Sequence, residues 1–253
     1  YAYNANAKIK WYNEFYNHLK ELLSNEAIHR TIDGAYIDAK HALKIDNNLR
    51  RLLSEDQVSI MRYYCDSESS YYWQTPEKVQ YKFVHPNLAL RRSESLMSYF
   101  KSIGISSFYT EDFVNNFTQR FIKEQDDKWL ASFYHYLCSK EGQRLLTEPD
   151  PYEDNDMSLR DKPIIRTNKK IFVAPYEDGE LAVFTPNDGA MTDGLVYVDS
   201  KLLSNPDFVK VLDLLGISTP DIHDIVENVI FPKYKGEFTF TWDGYEKDFR
   251  TIF

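Results

Sequence analysis

Cysteine is nearly missing from this chain of 253 residues. Its two copies, Cys65 and Cys138, are too few for a disulfide framework or a cysteine-built zinc site, and a reducing, cytoplasmic setting is expected. Glycine is sparse at 9, which argues against long flexible linkers. No apolar run approaches the ~20 residues of a membrane span, and the opening residues do not read as a signal peptide. Positive charge is in deficit: 30 Lys and Arg face 39 Asp and Glu, for a net charge of −9. That balance opposes general nucleic-acid binding, which needs a basic footprint.

Aromatic residues are abundant, at 15% with 19 Tyr and 16 Phe, while the hydrophobic (43%) and charged (27%) shares are ordinary for a globular protein. The length suits one large domain or two ordinary ones. Opening on Tyr1 and closing on Phe253 inside a helical pattern, the sequence reads as a segment of a longer protein.

Three blocks recur in the same order. In the first, Trp11, Phe15 and Leu19 match Trp129, Phe133 and Leu137 at an offset of 118 (129 − 11); the four-residue step lines one helical face. The second is a hairpin, in which Arg30-Thr31, Asp33-Gly34 and Ala35-Tyr36-Ile37 match Arg166-Thr167, Asn168-Lys169-Lys170 and Ile171-Phe172-Val173 at an offset of 136 (166 − 30). Asp-Gly between short apolar runs is a hairpin signal. The third is a helix–turn–helix around Gly104-Ile105-Ser106 and Gly216-Ile217-Ser218, offset by 112 (216 − 104). Each glycine sits where a helix C′ glycine belongs, and Thr219-Pro220 fits an N-cap and N1 pair. Asn116 matches Asn228, and Tyr245, Phe249 and Phe253 repeat the step of the first block.

The expected fold class is therefore α+β and mainly helical: two divergent helix–hairpin–helix repeats with small hairpins or sheets. The first spans 8–125, with an aromatic insert at about 54–92, the second 126–244, and 245–253 begins a truncated third. The structural markers are Trp11, Trp129, Arg30, Thr31, Arg166, Thr167, Gly104 and Gly216. The recurring Arg-Thr pair is expected to fix the hairpin base, the threonine by its strand propensity and the arginine by holding carbonyls or a carboxylate. Two turn-rich stretches, 148–161 and 175–194, read as surface loops, the second with a small sheet.

No motif carries a reaction. Asp154 and Asp156 have the spacing of calcium-loop ligands without the glycine and closing glutamate that site needs. Gly189 and Gly194 have Walker-like spacing, but Leu195-Val196 follows instead of lysine and a hydroxyl. The histidines (18, 29, 41, 85, 135 and 223) form no helical metal pair; His135, among Phe133, Tyr134 and Tyr136, is expected to pack, and His223 to be exposed. Cys65 and Cys138 read as small buried hydrophobes, and Ser106 and Ser218 as turn or cap residues, since no Gly-x-Ser-x-Gly elbow exists. Arg50-Arg51 and Arg91-Arg92 read as solvated helix surface. The Tyr71-Tyr72-Trp73 cluster cannot face one way in a regular element, which leaves it either packing the insert or meeting a protein partner.

The stretches Ile164-Ile165-Arg166-Thr167, Phe172-Val173-Ala174-Pro175, Leu214-Leu215-Gly216-Ile217 and Val229-Ile230-Phe231-Pro232-Lys233-Tyr234 resemble the segment downstream of the ATPase in sacsin-like and NO VEIN-like proteins; Arg30 to Tyr36 looks like a weaker copy of the same element. The resemblance runs from about Lys8 to Phe253. It implies a large parent protein with an ATP-binding domain of the gyrase and chaperone type. That domain's Asp-x-Gly-x-Gly signature is missing here, and Asp46-Asn47-Asn48 is the nearest thing to its asparagine box, so no catalytic residue and no cofactor carry over. The expectation is a non-catalytic scaffold segment in a chaperone-like or defence setting. Its partners would be other domains of the same chain and a protein client. The alternative is a nucleic-acid-sensing or processing module of a bacterial defence protein.

Overall fold

The computed structural model describes residues 14, 18–69, 78–85, 98, 100–147, 158–187, 191–235 and 241–252. Trp11, Phe15, the Tyr71-Tyr72-Trp73 cluster, Arg91-Arg92 and residues 148–157 of the acidic stretch lie outside them. The fold is mixed α+β and mainly helical. The chain divides into two compact units, Tyr1–Phe117 and Thr118–Phe253.

In the first unit, residues 18–25 are helical and lead to an antiparallel hairpin of β1 (His29–Arg30) and β2 (Tyr36–Ile37), with His29 opposite Ile37 and Arg30 opposite Tyr36. Gly34 closes the turn at φ +87°, a conformation that costs other residues a Cβ clash. Next comes a small parallel sheet in the order β4-β3-β5, made of β3 (Ala42–Ile45), β4 (Lys82–Phe83) and β5 (Ser106–Phe108). All four residues of β3 are buried, as a central strand covered on both faces requires. Helices α1 (Leu49–Leu52) and α2 (Glu55–Ser69) connect β3 to β4. Glu55 fastens α2 to the strand, accepting from the Phe83 amide at 2.7 Å and from Lys82 Nζ at 2.7 Å. Arg62 donates to the Ser107 carbonyl at 2.5 Å and lies over the Tyr81 ring, 4.9 Å from its centroid. Gly104 (φ +85°) ends the helix before β5, and α3 (Thr110–Asn115) follows.

The second unit opens with α4 (Gln119–Lys123), α5 (Asp127–Leu137) and α6 (Lys140–Arg144). Thr118, Asp126 and Ser139 cap them, each side chain accepting from a first-turn amide. Trp129, Phe133 and Leu137 form the buried stripe of α5. Trp129 meets Phe121 edge-on and stacks on Phe133 at a centroid distance of 5.2 Å. The hairpin of β6 (Ile165–Arg166) and β7 (Phe172–Val173) follows, then a second of β8 (Tyr176–Glu177) and β9 (Glu180–Leu181), turned by Asp178 and Gly179 at positive φ. Phe184 bridges Tyr197 in parallel. A 3₁₀ turn (Ser200–Ser204) leads to α7 (Pro206–Leu215), which packs on α5. Gly216 (φ +71°) caps α7, and α8 (Ile222–Ile225), a π-helical turn (Val226–Ile230), α9 (Phe231–Tyr234) and α10 (Trp242–Ile252) complete the unit.

Hydrogen bonds of like pattern occur in both units. Those of Thr31 and Thr167 lie at the hairpin offset of 136, and those of Ile105 and Ile217 and of Asn116 and Asn228 at the turn offset of 112, whereas Val84 and Val198 lie 114 apart (198 − 84) and Leu43 and Phe184 lie 141 apart (184 − 43). The Thr31 amide and hydroxyl both donate to the Ala35 carbonyl, as those of Thr167 do to Ile171. Arg30 accepts from the His85 amide, and Arg166 from the Asp199 amide. Thr31 bridges Val84, and Thr167 bridges Val198. The Val84 and Val198 amides donate to Leu43 and Phe184, and the Ile105 and Ile217 amides to Phe100 and Leu212. Asn116 reaches back to the Asp112 carbonyl at 2.6 Å, and Asn228 to that of Asp224 at 3.0 Å.

Three local expectations are corrected. Ser106 begins a strand rather than a turn. The helix after Gly216 is capped by Asp221, not Thr219, because the Asp221 carboxylate accepts from the Asp224 amide (2.9 Å) while the Asp221 amide donates to the Asp224 carboxylate (2.8 Å). His135 does not pack: its side chain is 79% exposed.

Candidate functional site

A cluster of charged side chains sits at the base of the second hairpin. The β6 strand carries Arg166, whose side chain is 13% exposed. Its Nε donates to Asp199 Oδ2 at 3.0 Å, and its Nη1 pairs with Asp127 at the start of α5. Asp199, 4% exposed, also takes Lys170 on Oδ2 and the Lys201 amide on Oδ1 at 3.2 Å. Burial works against the Asp199 carboxylate. The bond from Lys170, the Lys201 amide and the Arg166 charge outweigh it and hold the group below the usual carboxylate range. Burial likewise opposes the Arg166 charge, and Asp127 and Asp199 restore it. Tyr134, fully buried beneath, donates to the Ile164 carbonyl at 3.0 Å and is pushed up by burial.

This arrangement is a clamp. Asp199 accepts from three partners and stays ionised near neutrality. It ties β6, the hairpin turn and the 3₁₀ turn together. Lys170 occupies the place of Gly34 and takes the same left-handed conformation, at φ +60°; its bond to Asp199 offsets part of that strain. Arg166 thus holds carboxylates at the hairpin base. Its counterpart Arg30 is exposed, while Thr31 and Thr167 are both buried.

The nearest approach to a nucleophilic constellation joins Cys138, His135 and Asp207. His135 Nδ1 lies 3.0 Å from Asp207 Oδ2, but Cys138 Sγ donates to the Asp207 carbonyl at 3.4 Å. Burial and the neighbouring Asp207 charge push the Cys138 thiol up, away from the thiolate that attack requires. Both cysteines are partly buried thiols that form no disulfide. Among the described residues, no group of three His, Cys, Asp or Glu could hold a metal ion, and no helix is long and apolar enough to cross a membrane. Gly104 and Gly216 sit at helix ends in the left-handed conformation, and Trp129 is in the core at 9% exposure. Sequence reasoning missed Asp199 and Lys170: they lie 33 (199 − 166) and 4 (170 − 166) positions from the arginine they serve, and no motif spans them.

Comparisons of the chain with family models, with curated proteins and with solved structures return no match.

Proposed function

We propose that the chain is a non-catalytic scaffold segment of a large sacsin-like ATP-binding protein, built from two copies of one unit, and that it presents surfaces to other domains and to a protein client. The observation that carries the reading is the pairing of backbone hydrogen bonds. The hairpin registers, the glycine-ended helices and the asparagine back-bonds each occur in both units at the offsets of the sequence blocks, and a crossing strand at Val84 and Val198 occurs in both at an offset of 114 (198 − 84). Unrelated helical units share a four-residue apolar step by periodicity alone. They do not share long-range partners. The clamp supports a structural role for the most polar part of the second unit. The aromatic pair Tyr245 and Phe249 on α10, stacked at 6.1 Å, mirrors Trp129 and Phe133 and fits the start of a third unit.

Two experiments test this. A chimera carrying residues 165–173 in place of 29–37 is expected to fold with the circular dichroism of the parent; loss of the first unit alone would remove the duplication argument. The intact chain is then offered ATP, single-stranded DNA and single-stranded RNA. The scaffold reading expects no turnover and no binding. Nucleic-acid binding that weakens steeply with salt would replace it with the nucleic-acid module.

A further inference from the structure

His29 occupies a core position of the first hairpin. It is 6% exposed, and its Nε2 is buried with no hydrogen-bond partner among the described residues. Opposite it on β2 stands Ile37, which with Leu23 packs against the cluster of Ala39, Ala42, Val84, Phe100, Ile103 and Ile105. In the second unit the same register position holds Ile165, fully buried opposite Val173. An imidazole therefore stands in an apolar slot, accommodated only while it is neutral. The helical residues 18–25 join this part of the unit: Leu23 packs on the same cluster, and the Ala39 amide donates to the Ser24 carbonyl at 3.1 Å.

We infer that His29 is an acid-sensitive latch, and that protonation of its buried ring releases residues 18–25 from the first hairpin. Charging Nε2 gives the buried ring a second N–H that meets no acceptor among the described residues, and opening the joint gives that N–H to water. Asp38 is the charged group that acts on the ring from the segment after β2, and it is already engaged by His41 at 2.8 Å. Lys20, Glu21 and Tyr36, on the helix and on β2, are exposed. His85 follows the crossing strand at the Arg30 carbonyl.

The sign follows from linkage. Burial lowers the ring's affinity for a proton below its ordinary value of 6.5, against the smaller opposing effects of Leu23 and Asp38. The open form binds the proton more readily, so the latch is intact above that value and weakens as pH falls through the interval beneath it.

The test is hydrogen exchange of the Ala39 amide in the whole chain between pH 7.5 and 4.5, corrected for intrinsic exchange, in the parent, His29→Ile and His41→Asn. Protection in the parent is expected to fall by up to tenfold per pH unit below 6.5, the limit for one linked proton. That fall is expected to vanish in His29→Ile and persist in His41→Asn. Equal profiles in the parent and His29→Ile, or loss of the fall only in His41→Asn, overturn the inference. Ring-proton NMR of His29 in the parent is independent of any variant: titration at or above 6.5 overturns it as well.

Discussion

Replacing Gly142 with alanine sets two effects of opposite sign against each other at one position. Gly142 lies inside α6, where alanine is favoured over glycine by about 1 kcal/mol on helix propensity alone. Its Cβ, however, would stand 2.2 Å from the Tyr136 carbonyl oxygen, 2.6 Å from Leu137 Cα and 2.9 Å from the Tyr136 carbonyl carbon. All three are backbone atoms of the buried end of α5. Only Cys138 and Ser139 separate α5 from α6, so there is no loop to absorb a shift. The corner is further fixed by the Gly142 amide on Ser139 Oγ at 3.1 Å and by Gln143 Nε2 on the Cys138 carbonyl at 2.8 Å. Relieving the clash means moving one helix by about 1 Å, since carbon and carbonyl oxygen sit at roughly 3.3 Å in the closest ordinary contacts. Overpacking of this kind costs about 3 kcal/mol, leaving a net loss of about 2 kcal/mol. Urea denaturation, with hydrogen exchange at the Cys138 amide to localise the loss to the second unit, measures it. A variant as stable as the parent, or more stable, would refute the close approach of the two helices.

Trp129→Ala is expected to cost about 3–5 kcal/mol in the same melt, as large-to-small core changes do, and a loss under about 1 kcal/mol would remove Trp129 from the core. Asp199→Ala strands the mostly buried Arg166 with only the exposed Asp127 as partner, at a cost of about 2–3 kcal/mol, below the full value for a broken buried pair. Because the Asp199 carboxylate is held below its ordinary value, its contribution is present at neutral pH and disappears as pH falls through that lowered value; the parent and the variant should converge in acid melts. Gly104→Ala and Gly216→Ala should each cost about 1–2 kcal/mol from the left-handed backbone. Space is open at both, with no atom within 4 Å of the first and the Tyr176 hydroxyl at 3.7 Å from the second. Unequal losses would mean that the two turns differ.

Features carried by local backbone demands were legible in the sequence. Gly104 and Gly216 announce left-handed helix ends, and Arg-Thr with its flanking apolar pairs announces the hairpins. Features that depend on distant partners were not. The parallel sheet of the first unit rests on β3, four residues interrupted by Lys44, and on the Ser106-Ser107 pair of β5, so neither shows strand alternation or a long apolar run. Lys170 was opaque for a different reason: it adopts a glycine's conformation, and what helps to hold it there is Asp199, 29 (199 − 170) positions away. His135 was misread from its aromatic neighbours at adjacent positions. On a helix, adjacent residues point about 100° apart, so Tyr134 and Tyr136 can be buried while His135 faces solvent.

The two units also differ in how far along the chain their central strand pairings reach. Leu43 meets Ser106 across 63 residues (106 − 43) in the first, whereas Phe184 meets Tyr197 across 13 (197 − 184) in the second. Loop-closure entropy makes the longer connection dearer by about 1.4 kcal/mol, about tenfold in the rate of first contact. Synthesis proceeds from the amino end. The strand that emerges first therefore waits through the longer stretch of chain for its partner, and until Ser106 arrives the edge of β3 is exposed to whatever else pairs with strands.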